Sequence, residues 1–412
     1  MSTATAYRTL FQDYLGAGLQ LVLAQVQAAE PLVPDELRRQ AWHLLSYAFE
    51  SDAAWPLARD LLLALAPKME QAGFRDEWIA YLEQGLHIAM LRQEQIASAE
   101  LRLYLGYLCR MLSDYVAAAS HFDAAIQVFK SYMLPQKHAA ALNHLAHVHL
   151  LQHQYPAAES AAHQALALLT VGDPEQATSY SVFGMIHIDH GKWQEAEVYH
   201  RRSLEIRQLC GDARKTAWSQ QNLAYALRGQ GKYDEAIDSF EQASAQLRDQ
   251  HDPFNAAIVQ MNLAATFYLA GAPDKALAHS QHARSTFHRL QSQHHLAILS
   301  TNEGLAYLAL EQLEEADQAF RISSDLFRAI HDKSGYLNAQ DGLCMALFAQ
   351  TRYREAIEVA RRALTELSEN TDLPNFVYLQ RSLSEHQADA VSALSAAMMN
   401  SSQPDHGIRI QS

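Results

Sequence analysis

Seven alanines, Ala118, Ala158, Ala196, Ala236, Ala276, Ala316 and Ala356, stand 40, 38, 40, 40, 40 and 40 residues apart. A fixed step sustained over this length means that one structural unit is stacked on copies of itself, and this constrains the fold more than any other feature of the chain. The register extends well beyond alanine. Thirteen residues upstream of each stand Leu105, Leu145, Phe183, Leu223, Leu263, Glu303 and Leu343, each followed by a small residue: Gly106, Ala146, Gly184, Ala224, Ala264, Gly304 and Cys344. Three residues before the alanine come Tyr115, Tyr155, Trp193, Tyr233, Pro273, Leu313 and Tyr353. Four and seven residues after it come pairs such as Phe122 with Ala125 and Phe240 with Ala243.

The unit reads as two helices. With 16 Gly and 11 Pro in 412 residues, the chain has little material for long loops or sheet-type turns. In one unit, 216–229 places Trp218, Leu223, Ala226 and Leu227 on one stripe, Gly231 breaks the run, and 233–247 places Ala236, Ile237, Phe240 and Ala243 on one face. The short break predicts an antiparallel pair. Ala224 and Ala236 let the two backbones approach to roughly 8–10 Å. Asp173-Pro174 and Asp252-Pro253 supply an N-cap acceptor before a proline, and each is expected to start a helix. Gly191, Gly231 and Gly271 fit a left-handed turn inside the unit, whereas Glu311 and Thr351 at the same place predict turns of another build.

This constellation resembles the tetratricopeptide repeat, whose pattern is an aliphatic residue followed by Gly or Ala, then an aromatic before Ala, then Phe or Tyr, then Ala. The resemblance implies an all-α, right-handed superhelical solenoid of antiparallel helix pairs. The step exceeds the usual unit of about 34 residues, so each helix is expected to be roughly two or three residues longer. Long units of this kind are similar to those in the sensor regions of bacterial signal-transducing ATPases, in peptide-responsive regulators and in polarity adaptors. Residues 55–93, with Glu77, Trp78, Tyr81 and Glu83, resemble the entry unit of such sensor arrays. The expected organisation is N-terminal capping helices over 1–52, a divergent entry pair over 53–95, seven repeats over 96–369, a capping helix over 370–399 and a disordered polar tail over 400–412.

The remaining composition excludes more than it selects. A formal charge of -14 opposes non-specific attraction to DNA or RNA, so no nucleic acid is expected. No basic, then apolar leader opens the chain, and no run of about 18 apolar residues occurs, so no membrane span is expected. Three widely spaced cysteines, Cys109, Cys210 and Cys344, suggest free thiols and a cytoplasmic location. No P-loop, nucleophile elbow, dinucleotide fingerprint or Cys-x-x-Cys pair is present, and neither enzyme activity nor a cofactor is expected. The 21 histidines invite a metal reading, but register assigns His149, His187 and His200 to packed positions and no H-E-x-x-H occurs. Their protonation is expected to loosen packing near pH 6.

Function is therefore sought on the exposed face of the first helices, which the resemblance places on a concave groove. Just before the aliphatic-small pair, consecutive units carry Asn222, Asn262 and Asn302, whose carboxamides offer donors and an acceptor to a peptide backbone. The resemblance implies ligand contact there; the residues alone allow an intramolecular role as well. Tyr225, Arg228, Tyr268, Met261, Ile298 and Leu305 fall close by, and earlier units place Tyr104, Tyr107, Arg110, His144 and His147 correspondingly. The leading expectation is a non-catalytic scaffold or adaptor that binds a peptide or partner-protein segment. The alternative is a peptide-responsive signalling regulator, either a sensor or a phosphatase-like regulator. Self-association through the ends of the solenoid is a further expectation.

Overall fold

The computed structural model of the protein describes residues 3–29, 32–72, 75–371, 373 and 375–401. Of the polar tail expected over 400–412, Asn400 and Ser401 end the last helix and the remainder lies outside the described residues. Among those described, nineteen α-helices occur and no strand. The chain forms two compact units, Met1–Asn255 and Ala256–Ser412. The first holds α1 (Thr3–Ala28), α2 (Asp35–Ala48), α3 (Trp55–Ala72), α4 (Arg75–Leu91), α5 (Gln95–Met111), α6 (Tyr115–Ser131), α7 (Pro135–Leu151), α8 (Tyr155–Leu168), α9 (Gln176–Asp189), α10 (Trp193–Cys210), α11 (Ala213–Gly229) and α12 (Tyr233–Asp249). The division falls in α13 (Pro253–Leu269). The second unit continues with α14 (Pro273–Arg289), α15 (Gln293–Ala309), α16 (Leu313–Ala329), α17 (Lys333–Ala349), α18 (Tyr353–Ser368) and α19 (Phe376–Ser401).

The forty-residue step is two twenty-residue steps, each a helix closed by one left-handed residue. Ser113, Met133, His153, Gly191, Gly211, Gly231, His251, Gly271, Gln291, Glu311, His331 and Thr351 all have positive φ. Beyond each except Gly211, the next amide reaches back to a carbonyl five residues earlier, as in Asp114 to Cys109 (2.9 Å), Gln312 to Tyr307 (3.0 Å) and Arg352 to Leu347 (2.9 Å). This is the Schellman closure. Glu311 (φ 59°) and Thr351 (φ 62°) thus build the same turn as glycine, contrary to the expectation of another geometry, because the hydrogen bonds at the helix end hold the backbone there. The interval of 38 arises where α8 and α9 are each shortened to 14 residues. There Asp173 accepts from the Glu175 amide (2.9 Å), but α9 opens only at Gln176, so Asp173 caps a turn ahead of the helix rather than the helix itself. Asp252 behaves as expected, accepting from the Asn255 amide at the start of α13 (3.2 Å).

The recurring alanines are buried, none more than 2% exposed. They sit where paired helices cross, and the positions around them exchange volume. A Cβ on Gly106 would stand 2.7 Å from the Phe122 ring, on Gly304 2.8 Å from Phe320, and on Gly184 2.4 Å from the His200 imidazole. Where the first helix carries Ala146 the facing residue shrinks to Ala162, and Cys344 faces Ala360. Within the first unit the odd helices from α1 to α11 touch one another in succession as well as their sequence neighbours, and α15, α17 and α19 do so in the second. First helices therefore form one continuous layer in each unit, and the N- and C-terminal helices extend its order. Trp55 and Trp78 are enclosed in the N-terminal core, with Trp55 Nε1 donating to Glu94 (2.8 Å).

One position breaks the apolar register. Glu303 stands where other units have Leu or Phe, and it is buried. The Arg284 guanidinium of α14 grips both its carboxylate oxygens and the Ser300 hydroxyl (3.1 Å). At the same inter-repeat contact the first unit pairs Leu223 with Leu204 and Phe183 with Leu166.

Candidate functional site

Counting back from the repeat alanine, the residues 14, 11 and 8 positions earlier fall along one side of each first helix. In the first unit these include Tyr104, Tyr107 and Arg110 on α5, His144 and His147 on α7, and Asn222, Tyr225 and Arg228 on α11. All eight are half-buried. The Arg228 guanidinium lies 4.6 Å over the Tyr225 ring, which meets Phe240 edge-on at 5.7 Å. A core phenylalanine thus fixes a tyrosine, which in turn fixes an arginine, and the face is preorganised.

Asn222 forms no side-chain hydrogen bond among the described residues. The contrast is Asn143, fully buried one position out of register. Its amide donates to the Glu175 carboxylate (2.8 Å) and carbonyl (3.2 Å) and accepts from Ser179 (2.7 Å). One asparagine is spent on packing the shortened loop, and the other keeps its hydrogen-bonding capacity.

His144 stacks on Phe122 at 5.4 Å and meets Tyr107 edge-on at 5.5 Å. The Arg110 guanidinium lies 5.0 Å over Tyr107. Burial first, then the charges of Arg110, His147 and Lys215, push His144 down to about 3, and burial followed by Arg110 does the same for His147. Both imidazoles are neutral at pH 7. Lys215, on the first turn of α11, escaped the repeat register because its approach to α7 comes from two units away, where a forty-residue step carries no signal.

In the second unit Asn262 and Asn302 lie on α13 and α15 and Tyr268 on α13. Asn302 is half-buried and forms no side-chain hydrogen bond among the described residues, and Tyr268 is half-buried. Asn262 is different, being only 5% exposed. Met261, expected beside it on the lining, is buried at 6% exposure.

Of the histidines assigned to packed positions, His200 is buried, whereas His149 and His187 are half-buried, His149 hydrogen-bonding Gln154 through Nδ1 (2.8 Å). His200 fills the place of Phe240 and is wholly buried, with neither ring nitrogen hydrogen-bonded. Burial holds it at about 3, so its protonation in the folded chain lies far below the expected pH 6. His187 stacks on Tyr199 at 5.3 Å and is likewise lowered, by burial first. No group of three His, Cys, Asp or Glu side chains suited to a metal occurs among the described residues.

The first unit also contains a contact that the repeat pattern does not announce. Arg214, on α11, bonds Glu70 of α3 (3.0 Å) and Asp252 ahead of α13 (2.6 Å) and stacks 4.5 Å over Trp218. Burial alone lowers a guanidinium pKa, but here Glu70 and Asp252 raise it well above the ordinary value. Beside it, Gln71 donates to the Gln250 carbonyl (2.6 Å).

Two family models described as tetratricopeptide repeat match the chain, one over residues 175–249 and 216–288, the other over 138–170. No curated protein sequence matches it. Among solved structures, a Rap protein complexed with Competence and Sporulation Factor is similar over 91% of this chain and 99% of that one, with a TM-score of 0.60 at 14% identity. A Signal Transduction ATPase with Numerous Domains protein with a tetratricopeptide repeat sensor, from Pyrococcus horikoshii, is similar over 90% of this chain and 55% of that one, with a TM-score of 0.55 at 12% identity. No helix among the described residues is long and apolar enough to cross a membrane. Residues 138–170 and 175–288 are thus matched as tetratricopeptide repeats, and in fold the chain, with its paired helices, resembles the Rap protein and the sensor-bearing ATPase.

Proposed function

We propose that the protein is a non-catalytic cytoplasmic adaptor that binds a peptide or an extended segment of a partner protein along the exposed side of its first helices. The observation that carries this reading recurs in each unit by itself: a half-buried carboxamide in repeat register, Asn222 in the first and Asn302 in the second, without a side-chain hydrogen bond among the described residues. Partly desolvated amides without partners are costly unless a ligand satisfies them. A peptide backbone, with a donor and an acceptor at every residue, matches what a carboxamide offers and leaves side-chain identity to Tyr225 and Arg228 in the first unit and to Tyr268 in the second.

A second reading, a peptide-responsive regulator, is favoured by the fold likeness to the Rap protein, whose structure holds Competence and Sporulation Factor. The test is replacement of Asn222, Asn262 and Asn302 together by alanine, followed by quantitative affinity capture from the native cell. Loss of the principal captured protein or peptide by about tenfold or more supports the reading. Equal capture by wild type and variant, with an unchanged melting temperature, removes it.

A further inference from the structure

We propose that α19 is a proton-sensitive latch on the second unit: His386 holds it against the buried Asp341 of α17, tightly at mildly acidic pH and loosely above neutrality. The inference concerns the end of the array and stands apart from what the first helices bind.

Asp341 lies 15 residues before its repeat alanine, the place that Asn143 has in the first unit. Asn143 accepts from Ser179 of the next first helix (2.7 Å), and Asp341 accepts in the same way from Ser382 of α19 (2.7 Å). α19 thus meets α17 as a further first helix would, but across a carboxylate instead of an amide. That carboxylate is only 5% exposed. Its other oxygen meets His386 Nδ1 at 2.7 Å, and no third side chain bonds it among the described residues. Both partners are on α19, so a buried charge of α17 is satisfied by the helix that covers it.

The identity of the cation makes this contact responsive. In the same unit the buried Glu303 carboxylate is matched by Arg284, whose charge is permanent. His386 is half-buried, within reach of solvent protons, and imidazole is the side chain that changes charge between about pH 5 and 8. The hydrogen bond to Asp341 raises His386 above its ordinary range; burial works against this, and the charges of Asp341, Asp389 and Glu385 add to it. α17 therefore contributes one carboxylate and α19 two, Glu385 being paired with Arg381 (2.9 Å), and no charged group of α18 is among them. A histidine raised in this way contributes stability that is complete below about pH 6.5 and is lost as the pH rises through the folded value.

The contact sits between two apolar ones. Leu379 and Leu383 are wholly buried in one cluster with Leu337 of α17 and Ala360 of α18, and Ala390 packs in another with Ala346 and Leu347 of α17. Weakening the bond between them loosens α19 along its docked length, and release uncovers an apolar face of α17 and α18.

The test follows backbone hydrogen exchange in the full chain at pH 6 and pH 8, with each rate corrected for the intrinsic pH dependence of amide exchange. The open state of α19 is expected to be about fivefold more populated at pH 8, the difference between a charged and a neutral hydrogen bond, while α15 and α16 change little. In His386→Gln, α19 should open equally at both pH values, near the wild-type level at pH 8. Asp341→Asn should also remove the pH dependence, and His386→Gln, at the more exposed of the two positions, keeps the test decisive if Asp341→Asn fails to fold. Equal opening of wild-type α19 at both pH values overturns the proposal, as does a difference that His386→Gln retains or one shared equally by the whole second unit.

Discussion

Gly184 has no side chain because His200 fills the space where one would stand. Adding a methyl group by Gly184→Ala is expected to destabilise the protein by roughly 1–3 kcal/mol, since the imidazole is held on all sides. His200→Phe is expected to raise the melting temperature, because Phe122 and Phe320 fit the same socket opposite Gly106 and Gly304 and carry no unsatisfied ring nitrogens. The same residue sets an acid limit. His200 sits at about 3 in the folded chain and ionises at about 6.5 when unfolded, so the unfolded chain takes up the proton first. The stability its neutral form contributes is complete above about pH 6.5 and is lost as the pH falls toward 3. Melting curves across that window should decline more steeply for the wild type than for His200→Phe; equal slopes would show that other groups dominate. At the turns, Thr351 carries a β-branched side chain at φ 62°. Thr351→Gly is expected to stabilise the chain by about 1 kcal/mol, read as a higher denaturant midpoint with an unchanged slope.

At the scale of elements, the ion pair between α14 and α15 stands where the first unit has an apolar contact of Leu223 with Leu204. Arg284→Leu strands the buried Glu303 carboxylate and is expected to cost roughly 3–5 kcal/mol, while Arg284→Leu with Glu303→Leu should return close to wild-type stability. A double change as damaging as the single one would mean that the surrounding cavity, not the charge, is at issue. This level was largely legible in the sequence. Alanine spacing, the aliphatic-small pair and the aromatic three residues before alanine give the helix pairs because each contact recurs every forty residues. Glu311 and Thr351 were misleading for a physical reason: the turn is imposed by backbone hydrogen bonds at the helix end, which tolerate a non-glycine residue at modest strain. Of the candidate face, Asn222, Tyr225 and Arg228 are where register puts them, whereas the burial of Asn262 and Met261 depends on local packing that register does not encode.

At the scale of the whole molecule, the division into two units and the contacts across long sequence separations left no trace in the repeat pattern, since a pairing made once has no period. The clearest instance is Arg214, which ties α3 to the start of α11 and to the segment before α13 in the first unit. Arg214→Met is expected to cost roughly 3–5 kcal/mol in that unit by removing the guanidinium that neutralises the buried Glu70 and Asp252 carboxylates. Hydrogen exchange should quicken together in α3 and around Asp252, and exchange confined to one of them would show that the bond does not couple them. An open repeat array unravels from its ends, each unit answering only to its neighbours. A direct bond between residues 144 positions apart changes that order of events. It closes after the local helix pairs have formed, because so long a loop must first be drawn together. Its strength then enters mainly the rate of unfolding: Arg214→Met should shorten the lifetime of the folded first unit while leaving its refolding rate nearly unchanged.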